Sequence, residues 1–208
     1  MEPYRPPPKA TPNPWIYAGQ ASSFTDIAPI EGSNTKLSTT KAPPDPEDIF
    51  ASPEITTPCK IFQLAAAETS SAVELTPDAA QNTIGFQPQI LVFRYRGQLH
   101  AIDHSCPHRN FPLSRGSLYD IEDFGVVLSA GVECPKHGWS FGKTSMTMAC
   151  FMAKTIADLC SLDIHTGESD RGNYRLQIWE VEVRSGQNGF GETEEEVWVR
   201  RKEKKKFG

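Results

Sequence analysis

The chain lacks the features that most quickly assign a protein. It has no run of about 18 apolar residues, so no membrane-spanning helix is expected. Its start, MEPYRPPPKA, has no basic stretch followed by an apolar one, the pattern of a secretory signal. There is no glycine-rich phosphate loop, no dinucleotide fingerprint and no internal repeat. Positive charge is in short supply. Lys and Arg total 21 against 26 Asp and Glu, a net charge of −5, which argues against a nucleic-acid partner. Cysteine is scarce too. Five of them, an odd number, do not make a secreted disulfide framework. Reduced thiols in an intracellular, cytoplasmic protein are the expectation. The one basic run, from Arg200 to Lys206, reads as a solvated tail over residues 203–208 rather than a nuclear signal.

Against these absences stand two short pairs of metal-ligand residues. Cys106-Pro107-His108 is C-x-H, and Cys134-Pro135-Lys136-His137 is C-x-x-H. Two thiolates and two imidazoles can hold zinc, or a [2Fe-2S] cluster in which two His replace two Cys on one iron. A proline directly after each Cys and Gly138 after the last His imply tight loops, suited to two fingertips closing on one centre. With these residues the chain resembles the Rieske iron–sulfur family, whose pattern is C-P-H … C-P-x-H-G. The resemblance implies a [2Fe-2S] cofactor, with Cys106 and Cys134 on the inner iron and His108 and His137 on the outer one. It extends over about residues 59 to 202 and is specific only around the two loops.

Residues 1–57 are rich in Pro, Ser, Thr and Ala and are expected to be largely disordered. Within them residues 14–24, with Trp15, Ile16, Tyr17 and Phe24, are expected to dock on the domain, because such side chains are costly to leave in water. The domain proper is expected over residues 58–202. Residues 60–64 read as a first strand and 66–87 as an irregular excursion. Residues 90–95 and 99–102, joined through Arg96-Gly97-Gln98, read as a hairpin that delivers the chain to Cys106. Phe111, Pro112, Leu113 and Gly116 resemble the family's P-L-x-x-G segment. The gap between the two pairs is long for the family, and the extra length is expected as a surface excursion over 119–130. Residues 174–184 read as a strand with one irregularity, 185–191 as a flexible turn and 197–200 as a final strand. His100, His104 and His165 fall outside the ligand pattern and read as surface or strand-end residues.

One block breaks the pattern. After His137-Gly138-Trp139-Ser140-Phe141 the family continues with Asp and then Thr-Gly, but here residues 142–162 intervene. Without them the chain reads HGWSFDIHTGE. Codon degeneracy allows the block to be a translated intron. Gly142-Lys143 can be GGT-AAG, a donor; Ala157-Asp158 can be GCT-GAC, a branch site; and Leu162-Asp163 can contain an AG acceptor whose removal restores Asp. The competing reading is a genuine insertion that forms a short helix. Cys150 and Cys160 lie in the block and are not counted as ligands.

The resemblance implies an all-β fold, a Rieske-like antiparallel β-sandwich with a small cluster-binding lobe. It implies a ferredoxin-like component of an oxidoreductase system that passes single electrons to or from a reductase or oxygenase and has no substrate site of its own. A Rieske oxygenase carries a second iron on two His and a carboxylate, and after Trp139 only His165 is left to supply an imidazole. A Rieske subunit of a multi-component oxygenase and a zinc-binding or cluster-free interaction module are the alternatives. High-potential members resemble C-T-H-L-G-C and C-P-C-H-G-S-x-Y; at the matching positions this chain has Phe111, Lys136, Trp139 and Phe141. Without that disulfide and those hydroxyls, the potential is expected in the lower part of the Rieske range.

Overall fold

The computed structural model describes residues 13–28, 34–41, 54–64, 72–84, 87–123, 126–136, 161–165, 174–187 and 193–202. Seven strands come first: β1 (Ile16–Gln20), β2 (Asp26–Ile27), β3 (Thr35–Lys36), β4 (Thr39–Lys41), β5 (Glu54–Thr56), β6 (Lys60–Leu64) and β7 (Ala72–Leu75). A short helix, α1 (Pro77–Thr83), follows. Then come β8 (Gln89–Tyr95), β9 (Gln98–Asp103), β10 (Ser117–Asp123), β11 (Val126–Glu133), β12 (Ser161–Asp163), β13 (Trp179–Gln187) and β14 (Thr193–Arg201). The fold is all-β, as the resemblance implies.

Strand β8 is the hub. Its sequence, QILVFRY, is apolar on both faces, and only Arg94 is not buried. Successive side chains of a strand point to opposite faces. Ile90 and Val92 accordingly join a buried cluster with Ile16, Ala18, Trp179, Val197 and Val199. Leu91, Phe93 and Tyr95 join a second cluster with Leu113, Leu118, Val132, Cys106 and Cys134. Burial of each large side chain of β8 contributes roughly 1.5–3 kcal/mol. The result is three layers. The sheet β1-β14-β13 covers one face of the β8 sheet, and the sheet β12-β11-β10-β3, with its loops, covers the other. Around β8, β6 and β9 pair antiparallel and β2 parallel.

The β8–β9 hairpin closes through two residues of positive φ, Arg96 at 50° and Gly97 at 75°, with Tyr95 opposite Gln98. This is the turn that matches strand twist, and Gly97 adopts it freely. Arg96 does not, at a cost of about 1–2 kcal/mol. Its guanidinium is held by Asp120 on β10, Nε at 2.8 Å and an Nη at 2.5 Å. The hairpin is thereby tied to the layer that carries the loops.

Four features differ from the sequence expectations. Residues 66–87 contain β7 and α1. Thr76 caps the helix, its Oγ1 accepting from Ala79 N at 3.3 Å, with Pro77 at the first helical position. The excursion between the ligand pairs is a hairpin, with β10 paired to β11 from Ser117↔Glu133 to Asp123↔Val126. The slip in alternation after residue 174 is the entry to a strand: β13 begins at Trp179 and pairs with β14 in unbroken register to Gln187. Ser185, Gly186 and Gln187 therefore belong to that strand. Finally, the described parts of residues 1–57 are built into the fold. Residues 14–24 do dock, as β1 paired with β14 (Ile16↔Val199), and Ile16, Ala18, Ala21, Phe24, Ile27 and Leu37 are buried. Few apolar residues stand in a polar segment, but these six find places in the core.

Candidate metal centre

The first loop leaves β9 and returns to β10. Its two ends are laced together. His104 N donates to Gln89 O at 2.9 Å, Cys106 N to Phe111 O at 2.9 Å, and Leu113 N to His104 O at 2.8 Å. Pro107, His108 and Arg109 form the turn at the tip, and Asn110 N closes it on Cys106 O at 2.8 Å. Asn110 sits at φ 52°, a conformation that Asn tolerates better than most residues. This places Cys106 at the base of the loop, fully buried, and His108 at the tip, half-buried.

The second loop begins where β11 ends. Cys134 is fully buried in the same apolar cluster as Cys106, while Pro135 and Lys136 turn outward and are exposed. His137, the fourth expected ligand, lies outside the described residues, as do Trp139 and the block up to Cys160. Among the described residues no three His, Cys, Asp or Glu side chains form a metal-holding group. The two loops touch through Lys136, whose Nζ stands 5.9 Å above the Phe111 ring.

Gly116 brings the loops together. A Cβ there would lie 2.4 Å from Glu133 O and 2.9 Å from Leu113 O, both backbone atoms. The chain leaving the first loop is thus pressed against the residue that precedes Cys134. Gly116→Ala is expected to lower stability by about 1–3 kcal/mol through overpacking that backbone must relieve. It is also expected to reduce bound iron, because relief moves Glu133 and with it Cys134. Urea unfolding and an iron count on the same sample check this; an unchanged unfolding midpoint would show that the contact is slack.

His104, expected at a strand end near the surface, is fully buried. Its Nδ1 meets Gln89 Oε1 at 2.7 Å and its Nε2 meets Ser114 Oγ at 2.8 Å. Burial pushes its pKa down to about 4, so the ring is neutral. Gln89 also donates to Thr83 Oγ1 and Ala80 O. The network runs from α1 through β8 to the far side of the first loop. His100 is buried as well, packed on Phe93, and burial with His165 nearby lowers its pKa to about 4. His165 is exposed, its ring edge-on to His100 at 5.2 Å and its Nδ1 2.8 Å from Ser129 Oγ. In the sequence Tyr174 reads only as the first residue of a strand. Its ring meets His108 edge-on at 4.9 Å, far along the chain from either loop.

The donor set fits an iron–sulfur centre. Cys59 shows what burial alone does to a thiol in this protein. It sits against Thr57 Oγ1 and Leu37 O, and desolvation raises its pKa to about 11. Two more thiols buried in one apolar cluster become thiolates readily only when a cationic metal compensates their charge. Two buried sulfurs with an imidazole nearer the surface suit a centre whose outer metal carries the histidines.

A family model described as the Rieske [2Fe-2S] domain matches residues 66–157. The 3-phenylpropionate/cinnamic acid dioxygenase ferredoxin subunit of Photorhabdus laumondii is 38% identical over 69 residues, 33% of this chain and 58% of that protein. The ferredoxin subunit of the same description from Shigella boydii serotype 4 is 31% identical over 94 residues, 45% of this chain and 79% of that protein. The chain thus spans little more than half the length of the first relative. No solved structure matches it.

Proposed function

The chain belongs to the Rieske [2Fe-2S] domain family, and on that premise we propose that it is a ferredoxin-like carrier of single electrons. Cys106 and Cys134 hold the inner iron of the cluster, and His108 and His137 the outer iron. The domain they belong to spans residues 58–202. When bound, the cluster supplies a one-electron couple. The protein's part is to anchor two sulfurs in a dry core, to hold His108 toward the surface and to keep the first loop rigid through His104, Gln89 and Ser114. The two relatives are named as ferredoxin subunits of a dioxygenase; the partner proposed here is accordingly a reductase or oxygenase of an oxidoreductase system, with the substrate site on that partner. Among the described residues no helix is long and apolar enough to cross a membrane.

The observation that carries this reading is the pairing of Cys106 and Cys134, both fully buried in one cluster, with a half-buried imidazole two residues from the first. The test is a visible and low-temperature EPR spectrum of the pure protein with iron and acid-labile sulfide counted. The reading expects a reducible red-brown centre with equal iron and sulfide and a rhombic signal. Zinc without sulfide would overturn it. The same sample gives the potential. Phe111 and Lys136 stand where high-potential members have the disulfide, and Trp139 and Phe141 where they have the hydroxyls that raise it. A value nearer about −150 mV than +300 mV is therefore expected, and one well above zero would contradict this assignment.

A further inference from the structure

Among the described residues, the exposed charge of the loop tips is opposite to that of the chain. The protein carries −5 overall. Yet within the described residues 104–116, 134–136 and 174–178, the exposed charged side chains are Arg109, Arg115, Lys136 and Arg175, all basic. Two described acidic residues that border these segments face other tasks. Asp103 accepts from Trp179 Nε1 at 2.9 Å, and Glu133 accepts from Asn34 Nδ2; both are half-buried. Three of the cations belong to the segments that meet around the first loop. Arg109 follows it in sequence, Arg175 follows Tyr174, whose ring contacts His108, and Lys136 covers Phe111 across the gap between the loops. The centre of this face is aromatic: Tyr174, 42% exposed, and half-buried Phe111. An aromatic centre inside a charged rim is the anatomy of a protein interface. Cations on an otherwise acidic protein orient an approaching partner so that this face meets it first.

We propose that this tip is a docking face for a redox partner that presents an acidic patch. The proposal rests on the electron-transfer reading above and adds the partner's chemistry. His108 and Tyr174 stand at the centre of the contact, so an electron leaves by the shortest route from the outer histidine. Arg109, Lys136 and Arg175 supply the steering.

The test uses the full chain with two probe proteins, an acidic flavodoxin and basic cytochrome c. Calorimetric titration is run at about 0.01 M and about 0.15 M salt, conditions between which screening shortens from about 30 to 8 Å. Binding of flavodoxin is expected to weaken by about tenfold at the higher salt, and cytochrome c to bind weakly or not at all. The variant Arg109→Glu, Lys136→Glu, Arg175→Glu is expected to lose flavodoxin and gain cytochrome c. Unchanged binding in that variant, or a wild type that prefers cytochrome c, would overturn the proposal. So would retention of a DNA duplex in preference to flavodoxin, which would make the face a nucleic-acid site. EPR of the same samples separates this result from the cluster reading. A normal signal with no salt-dependent binding removes only the docking face. A missing signal with binding intact overturns the electron-carrier reading and, with it, the redox role of the partner, leaving only a basic docking face.

Discussion

Cys106→Ser and Cys134→Ser are each expected to give a folded protein that binds no acid-labile sulfide and no iron. Serine keeps the shape of cysteine, so packing survives, at a cost of about 1–3 kcal/mol for a buried hydroxyl. Ligation does not survive. Iron in such a centre needs a soft anionic donor, and a serine hydroxyl in the apolar cluster that surrounds both positions stays protonated. Loss at either position should be complete, because the two sulfurs share one iron in the proposed arrangement. Cys59→Ser is the control. Cys59 is buried as well, and its thiol is engaged by Thr57 and Leu37, away from both loops in sequence. That variant should keep its colour and lose only stability. Iron, sulfide and circular dichroism measured on the three proteins decide the matter. Full cluster content in Cys134→Ser would remove Cys134 from the ligand set.

The parts of this protein that were legible in the sequence are local. The β8–β9 hairpin is written in a run of aliphatic and aromatic residues, a glycine in the turn and a second such run. The two ligand pairs are legible because their members lie two and three residues apart, with a proline fixing each loop. Contacts between distant segments were not legible. Nothing in Trp15 to Gln20 shows that β1 will pair with β14, a partner near the other end of the chain. Tyr174 reads as one more strand residue until the fold lays it on His108. His104 reads as polar because its burial depends on Gln89 and Ser114, which supply acceptor and donor at the right places. Gly116 could be matched to a motif, but its reason is the approach of Glu133 O, which only the β10–β11 register brings close. Thr76-Pro77-Asp78 is different. This helix-start signal is present in the sequence, but it stands in a polar stretch with no apolar periodicity to mark the helix that follows.

Deleting residues 142–162 is expected to leave the fold intact and to raise cluster content. The reason lies in β12. Ser161, Leu162 and Asp163 pair with Glu133, Val132 and Gly131 at the end of β11, just before Cys134. Deletion joins Ser140-Phe141 to Asp163, so Ser-Phe-Asp replaces Ser-Leu-Asp in the same register. Strand pairing is made by main-chain groups, and Phe suits a strand at least as well as Leu. The long connection between Cys134 and Asp163 becomes a short one. Its closure then costs about 1 kcal/mol less, from the logarithmic dependence of loop entropy on length. Cys150 and Cys160, which can compete for iron during assembly, are removed as well. The shortened protein should unfold at higher urea and carry more iron and sulfide per chain than the full-length one. Transcript sequencing supplies the independent check, since the intron reading expects a mature message without those codons. If the full-length protein loads its cluster and the shortened one does not, the block is a working part of the domain, and the family pattern around His137 is built differently in this chain.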